Sequence, residues 1–217
     1  KAPIDSIVTK EFRNNAYVVE ANYLLSVVLI NMGNGKFEIK PLPTAAQFSS
    51  VLGSQIQDFD DDGQLDVLLV GNNYGTELTM GKLDASFGTL LKGNGKGNFS
   101  VVPMDQSGLD LKCEPRSLAA IQKGNKLSYL MTNYDGPIKG FNALSQHPIL
   151  KVTDNDLKIQ FKDASNKILS TIELYNGNGY LSQSSKYISY PKQATSADIW
   201  NSKKEKRTIT LDAKNPL

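Results

Sequence analysis

Four aspartates fall on alternating positions of one short stretch, Asp58-Phe59-Asp60-Asp61-Asp62-Gly63-Gln64-Leu65-Asp66, directly ahead of the apolar run Val67-Leu68-Leu69-Val70. Counted from Asp58 they stand at loop positions 1, 3, 5 and 9. A calcium ion takes roughly six to eight oxygen ligands at about 2.3–2.6 Å. A tight loop that turns at Gly63, lines its inner side with alternate carboxylates and offers the Gln64 carbonyl supplies most of them. Two carboxylates about 5 Å apart repel by roughly 3 kcal/mol at an effective dielectric of about 20, so four converging carboxylates call for a cation among them. Asp58, Asp60, Asp62, Gln64 and Asp66 are therefore the expected calcium ligands, with metal binding coupled to the local fold. Asp61, on the other side of the loop, is expected to face solvent.

Other chemistries use similar residues. An EF-hand needs a bidentate Glu at position 12 and a helix after the loop, whereas position 12 here is Leu69 in a strand-like run, which excludes it. A phosphatase would use the first two aspartates as nucleophile and acid but expects a parallel α/β sheet, and no helical crossover is legible. An Asp-rich solvated turn without metal is the remaining alternative, opposed by the regular alternation and the adjoining strand.

The elements that must position this loop read as strands. Near the start, Ile4, Ile7, Val8 and Phe12 recur at helical spacing behind Pro3, Asp5 and Ser6, which predicts one short amphipathic helix. Beyond it, short β-branched and aromatic runs separated by Gly, Asn, Asp and Pro predict strands at 26–30, 37–41, 51–57, 65–70, 88–92, 99–102, 117–121 and 127–132. The fold class is all-β with one short N-terminal helix. Asn34-Gly35-Lys36-Phe37 recurs as Asn94-Gly95-Lys96-Gly97-Asn98-Phe99, 60 residues later. Asn-Gly is two-residue hairpin chemistry, so each copy predicts a hairpin. The interval suits a β-propeller blade; two unrelated hairpins with similar turns are the alternative.

Composition narrows the function. Of 217 residues, 40% are hydrophobic and 21% charged, enough core formers to fold, and no run approaches the roughly 18 apolar residues of a membrane helix. The net charge of +2 is too balanced for an electrostatic grip on nucleic acid. Residues 1–138 hold 12 basic and 15 acidic side chains, net −3, and residues 139–217 hold 12 and 7, net +5, an asymmetry that suggests two units. The single cysteine, Cys113, excludes an internal disulfide and a thiolate zinc cluster and is read as a small, partly buried side chain. The single histidine, His147, removes most His-based catalytic sites and, followed by Pro148, is placed in a linker. The sequence opens at Lys1 with no n-region or h-region, so any targeting segment is expected to have been removed.

The loop resembles the FG-GAP or VCBS repeat, a propeller blade whose calcium loop reads D-x-D-x-D-G-x-x-D and joins the blade's first two strands; the four aspartates and Gly63 all match. The continuation Leu69-Val70-Gly71-Asn72-Asn73-Tyr74-Gly75-Thr76-Glu77, Gly81-Lys82-Leu83-Asp84-Ala85 and Leu90-Leu91-Lys92-Gly93-Asn94-Gly95 is similar to late blades of secreted bacterial proteins. The resemblance implies that residues 23–40 finish one blade, 50–103 form a complete one and 115–142 begin another. Gly177-Asn178-Gly179-Tyr180-Leu181-Ser182-Gln183-Ser184-Ser185, Trp200 and Arg207-Thr208-Ile209-Thr210-Leu211 resemble the ASPIC/UnbV domain, a small β module that follows such propellers. The organisation is then an N-terminal helix and lead-in over 1–20, propeller blades over 21–143 and an ASPIC/UnbV-like unit over 144–217. Tyr180 to Ser185 is read as a structural β corner and Trp200 as core. Asn201-Ser202-Lys203-Lys204 departs from the family's turn after the tryptophan and puts the final hairpin's geometry in question.

A propeller needs at least about four blades to close, so the resemblance implies the C-terminal part of a longer one, its open blade edge covered by the N-terminal helix, a neighbouring chain or irregular segments. The expected function is a non-catalytic, calcium-stabilised binding or adhesion module of an exported protein, secreted, periplasmic or on the outer cell surface, with a carbohydrate or protein partner. The expected binding surface is the long excursion 72–85, with Tyr74, Glu77 and Asp84 as contacts. A metal-dependent hydrolase and a purely architectural spacer are the competing readings.

Overall fold

The computed structural model describes residues 2–143, 145, 147–177 and 179–211. The protein is mostly β, in several small antiparallel sheets of which none described closes into a barrel. β1 (Val27–Gly33) and β2 (Lys36–Pro41) form a two-stranded ribbon. Asn34 (φ +53°) and Gly35 (φ +71°) both turn left-handed, as the two-residue Asn-Gly hairpin requires. β3 (Gly53–Gln57), β4 (Asp66–Val70), β5 (Thr89–Gly93) and β6 (Phe99–Val101) form a four-stranded meander. β7 (Pro115–Lys123), β8 (Lys126–Asn133) and β9 (Lys139–Asn142) form a three-stranded one. All eight predicted strands are present, and β9 is an addition.

The second Asn-Gly copy is a hairpin with a different turn. A five-residue loop, 94–98, joins β5 to β6, closed by a bond from the Asn94 N–H to the Asn98 carbonyl and by the Asn94 side chain accepting from Lys96 and Asn98. The inserted Gly97, at φ +74°, supplies the second left-handed position.

β4 shows why the meander is the centre of the fold. All five of its residues are buried. Leu68 and Val70 face a core shared with Leu118 and Ala120 of β7 and with Tyr129 and Met131 of β8. Val67 and Leu69 face the opposite way, with Leu91, Leu42 and Ala46. A strand covered on both faces carries no polar alternation, hence the continuous Val-Leu-Leu-Val. Cys113 lies in the first core, 7% exposed, in keeping with its expected packing role.

The remaining strands build a second unit with its own core. β10 (Ile149–Lys151) pairs with β13 (Tyr187–Ser189), and β11 (Asp156–Lys162), β12 (Ile168–Glu173), β14 (Ser196–Asn201) and β15 (Lys206–Thr210) form a sheet in the order β12-β11-β14-β15. Ile159, Phe161, Ala197 and Ile199 point inward, with the Phe161 ring stacked 5.3 Å from that of Tyr190. The final hairpin is formed, β14 and β15 pairing from Ser196 opposite Thr210 to Trp200 opposite Lys206, with Lys204 left-handed in the turn. Position 144, where the sequence sets the boundary between units, Asn178 of the Gly-rich motif and the tail 212–217 lie outside the described residues.

Three expectations are corrected. The N-terminal amphipathic helix is instead a 3₁₀ turn at Ile4–Ser6 and a five-residue helix, α1 (Lys10–Asn14), with Ile4, Ile7 and Phe12 exposed; among the described residues no apolar surface buries them to reward a longer helix. A second one-turn helix, α2 (Met104–Ser107), follows β6. Trp200 is not core: it lies on the outer face of its sheet, because the alternation along β14 commits Ala197 and Ile199 inward. The second Asn-Gly turn has five residues rather than two. The segment after Tyr180 is structural in part, since Ser184 Oγ accepts from the Ala120 N–H and the Ser185 N–H donates to the Ala120 carbonyl, covering the free edge of β7.

Candidate metal centre

The aspartate loop leaves β3 at Gln57 and re-enters the meander at Asp66, the first residue of β4. Two left-handed residues, Asp61 at φ +65° and Gly63 at φ +85°, reverse the chain. The carboxylates organise the loop's own backbone. Asp58 Oδ1 accepts from the Asp62 N–H at 3.2 Å and Asp58 Oδ2 from the Gly63 N–H at 2.7 Å. Asp66, only 2% exposed, accepts from the Phe59 N–H and, across to β5, from the Gly93 N–H, both at 2.9 Å. Asp62 Oδ1 accepts from the Gln64 N–H at 2.8 Å.

Asp58, Asp60 and Asp66 each bring a carboxylate oxygen to within 4.8 Å of the other two. Asp58 and Asp66 are buried and Asp60 is exposed. Oxygens no farther apart than twice a calcium–oxygen bond of about 2.4 Å can share one ion, and an all-carboxylate set suits a hard cation. This buried cluster could hold a metal ion. Asp62 turns its Oδ2 to Lys92 Nζ at 2.8 Å, and the same ammonium contacts Asp60. Gln64 is exposed, its side chain lying over Gly95. Of the four expected aspartate ligands the structure thus brings three together and sets Asp62 beside them on a lysine; the contribution expected of Gln64 is its carbonyl, to which the exposed side chain does not speak.

The electrostatics follow the geometry. Burial pushes the Asp66 carboxyl up; the Gly93 and Phe59 N–H groups work against that, and nearby Asp60 and Asp62 add to it. Asp62 is pulled down, by Lys92 first and then by the Gln64 N–H. Lys92, hydrogen-bonded to Asp60 and Asp62, is pushed up. A cleft of about 540 Å³ opens beside the cluster, with Asp60, Asp66 and Lys92 at one end and Phe59, Tyr129 and Phe141 along its walls. Tyr129 is 1% exposed and donates its hydroxyl to Gln57.

Three nitrogen-bearing side chains that meet the loop, His147, Lys192 and Lys92, escaped sequence reasoning. His147 lies between β9 and β10, as expected of a linker, but its side chain is only 9% exposed, with Nε2 3.0 Å from Asp58 Oδ2 and 3.1 Å from Asp61 Oδ1. Asp61 is exposed as a residue yet engaged: Ser145 Oγ donates to it at 3.2 Å and Lys192 Nζ at 3.0 Å. Lys92 is the third. Its place after buried Leu91, on a strand paired with β4, was the only signal available; nothing local marks His147 or Lys192.

The excursion 72–85 is anchored at its base. Asn72 is 1% exposed; its amide donates to the carbonyls of Ser86 and Cys113 and its Oδ1 accepts from the Ser86 N–H. Asn73 and Leu83 form a β-bridge, and Glu114, 2% exposed, accepts from the Tyr74 N–H at 3.0 Å. Tyr74 is half-buried with Lys82 Nζ 4.7 Å from its ring centre, and burial first, then Asp84, pushes its hydroxyl up. Tyr74 and Asp84 are thus neighbours, while Glu77 stands apart in the turn that accepts from Met80 and Gly81, beside fully exposed Leu78.

No protein-family model matches this sequence, and no curated protein matches it.

Proposed function

We propose that this chain is a non-catalytic binding module of an exported protein, in which calcium held by Asp58, Asp60 and Asp66 stiffens a propeller-type blade and the excursion 72–85 meets a carbohydrate or protein partner. One observation carries the reading: alternate aspartates of a D-x-D-x-D-G-x-x-D loop converge to within 4.8 Å where β3 passes to β4. That is the place the FG-GAP or VCBS resemblance assigns to the metal. The strand grouping supports the same reading, since the four-stranded meander falls within 50–103 and the ASPIC/UnbV-like segment has its own core. Calcium is preferred over magnesium because three carboxylates drawn from one irregular loop suit a large, flexible coordination shell. Loops of this kind fill at the roughly millimolar calcium outside cells, which supports export.

His147 does not turn the site into a hydrolase. Its ring is nearly buried, with Nε2 3.0 Å from Asp58 and 3.1 Å from Asp61 but hydrogen-bonded to neither, which favours a packing role against the loop over contact with a substrate. The test is thermal unfolding in calcium against chelator. At a hundredfold excess over the dissociation constant a ligand adds about 2.7 kcal/mol, or about 5–10 °C in a domain of this size. Chelation is expected to lower the parent's midpoint by that amount and to leave Asp60→Asn nearly unchanged. Coincident parent midpoints would remove the metal.

A further inference from the structure

The sheet β12-β11-β14-β15 buries one face and turns the other outward with nothing upon it among the described residues. Register places one row of that outer face as Glu173, Lys158, Trp200 and Lys206, and the next as Thr171, Gln160, Asp198 and Thr208. Trp200 is half-buried, with Lys158 Nζ 5.6 Å and Lys206 Nζ 6.0 Å from its ring centre. At this outward strand position the indole is bracketed by cations from the strands on either side.

The rest of the face is fixed. Asp198, 4% exposed, accepts from Lys162 Nζ at 2.7 Å, Lys206 Nζ at 3.3 Å and Thr208 Oγ1 at 2.6 Å, so its charge is consumed within the sheet. Glu173, the acidic member of the tryptophan row, lies beyond Lys158 and receives the Tyr175 hydroxyl. The Thr171 hydroxyl and the Gln160 amide stand in the row beside the indole. The unit that carries it holds the chain's excess of basic residues, net +5 over 139–217.

We propose that this face binds an acidic polysaccharide, a pyranose ring lying against Trp200 with its carboxylate, or that of the next sugar, on Lys158, the lysine beside the indole that Asp198 does not hold. The indole offers an apolar plane to the C–H face of a sugar, and the Lys158 ammonium beside it complements an anion that a neutral glycan lacks. A nucleic acid strand would instead want successive stacking platforms along a basic groove, and in the described outer rows of the sheet Trp200 is the one aromatic. This site shares no residue with the aspartate loop, so it goes beyond the calcium reading, and either can fail while the other stands.

Trp200 is the chain's single tryptophan, so its emission reports this face alone. The full chain is titrated with oligogalacturonate, with a neutral cello-oligosaccharide and with oligothymidylate, each in calcium and in chelator. A saturable emission change with oligogalacturonate only, weakened by added salt, is expected. Lys158→Gln should reduce the affinity by up to about fivefold, the reach of one exposed charge pair. Trp200→Ala, read by calorimetry after circular dichroism confirms folding, should abolish it. The proposal is overturned by no response to oligogalacturonate, by an equal response to the neutral oligosaccharide, by tighter binding of oligothymidylate, or by full affinity in both variants.

Discussion

Lys92 shows how a single side chain sets the character of the aspartate loop. Its ammonium contacts Asp60 and Asp62, and so supplies within the chain part of the positive charge that converging carboxylates demand. A bound cation would then compete with Lys92 for Asp60. Lys92→Gln is expected to raise calcium affinity several-fold while lowering the midpoint in chelator, which calorimetric titration and thermal unfolding read separately; weaker calcium binding would instead make Lys92 a supporting contact. A second charge is placed for stability. Lys162 first, then Thr208, hold the Asp198 carboxyl down to about 2, below its ordinary 3.8. Because the folded value is the lower one, the stabilisation is complete above about pH 4 and is lost as pH falls toward 2, for at most about 2 kcal/mol. Asp198→Asn should therefore be less stable than the parent at neutral pH and flatten the loss between pH 4 and 2 in denaturant titrations. At this scale Asp58, Asp60 and Asp66 were legible because their spacing is local. Lys92, His147 and Lys192 were not, because they arrive from 26 or more positions beyond Asp66 or from a separate unit, and no periodicity records that.

Elements were legible where burial imposes a pattern. The Val-Leu-Leu-Val of β4 announces a strand covered on both faces, and Asn34-Gly35 announces its turn by the left-handed backbone both residues tolerate. The reading failed where spacing had no surface to act against, as at Ile4, Ile7 and Phe12, and where a large aromatic was taken as core although its neighbours Ala197 and Ile199 already filled the inner face. The contact between β5 and the loop is a further element-level fact that sequence did not disclose. Gly93 donates its N–H to Asp66, and a Cβ on Gly93 would strike the Leu65 carbonyl oxygen, a backbone atom that cannot swing aside. The strand end is thereby pressed against the mouth of the loop. Gly93→Ala is expected to cost more than about 2 kcal/mol in denaturant unfolding and to diminish the calcium-induced rise in midpoint as well. A stable variant with the full calcium response would separate β5 from the site.

At the level of the molecule, the loop stands at the joint between two units that each own a core. Asp61 extends from the loop to Ser145 and His147 of the connection and to Lys192 of the second unit, while Ser184 and Ser185 of that unit lie along β7. The second unit is therefore held at two places, one of them a continuation of the candidate metal centre. Exposed pairs such as Asp61 with Lys192 contribute little singly, so this tether is worth on the order of 1 kcal/mol. Asp61→Asn tests it, because asparagine accepts the left-handed backbone at φ +65° while the charge and one of the two acceptor oxygens used by Ser145 and Lys192 are lost. In differential scanning calorimetry the parent should unfold in one transition. Asp61→Asn should broaden it, and Asp61→Asn with Ser184→Ala should resolve two, the later or earlier of which no longer moves with calcium. If the double variant still melts as one with an unchanged calcium shift, the joint owes its rigidity to packing across pocket residues such as Gln55, Val152 and Leu174 and not to the aspartate loop.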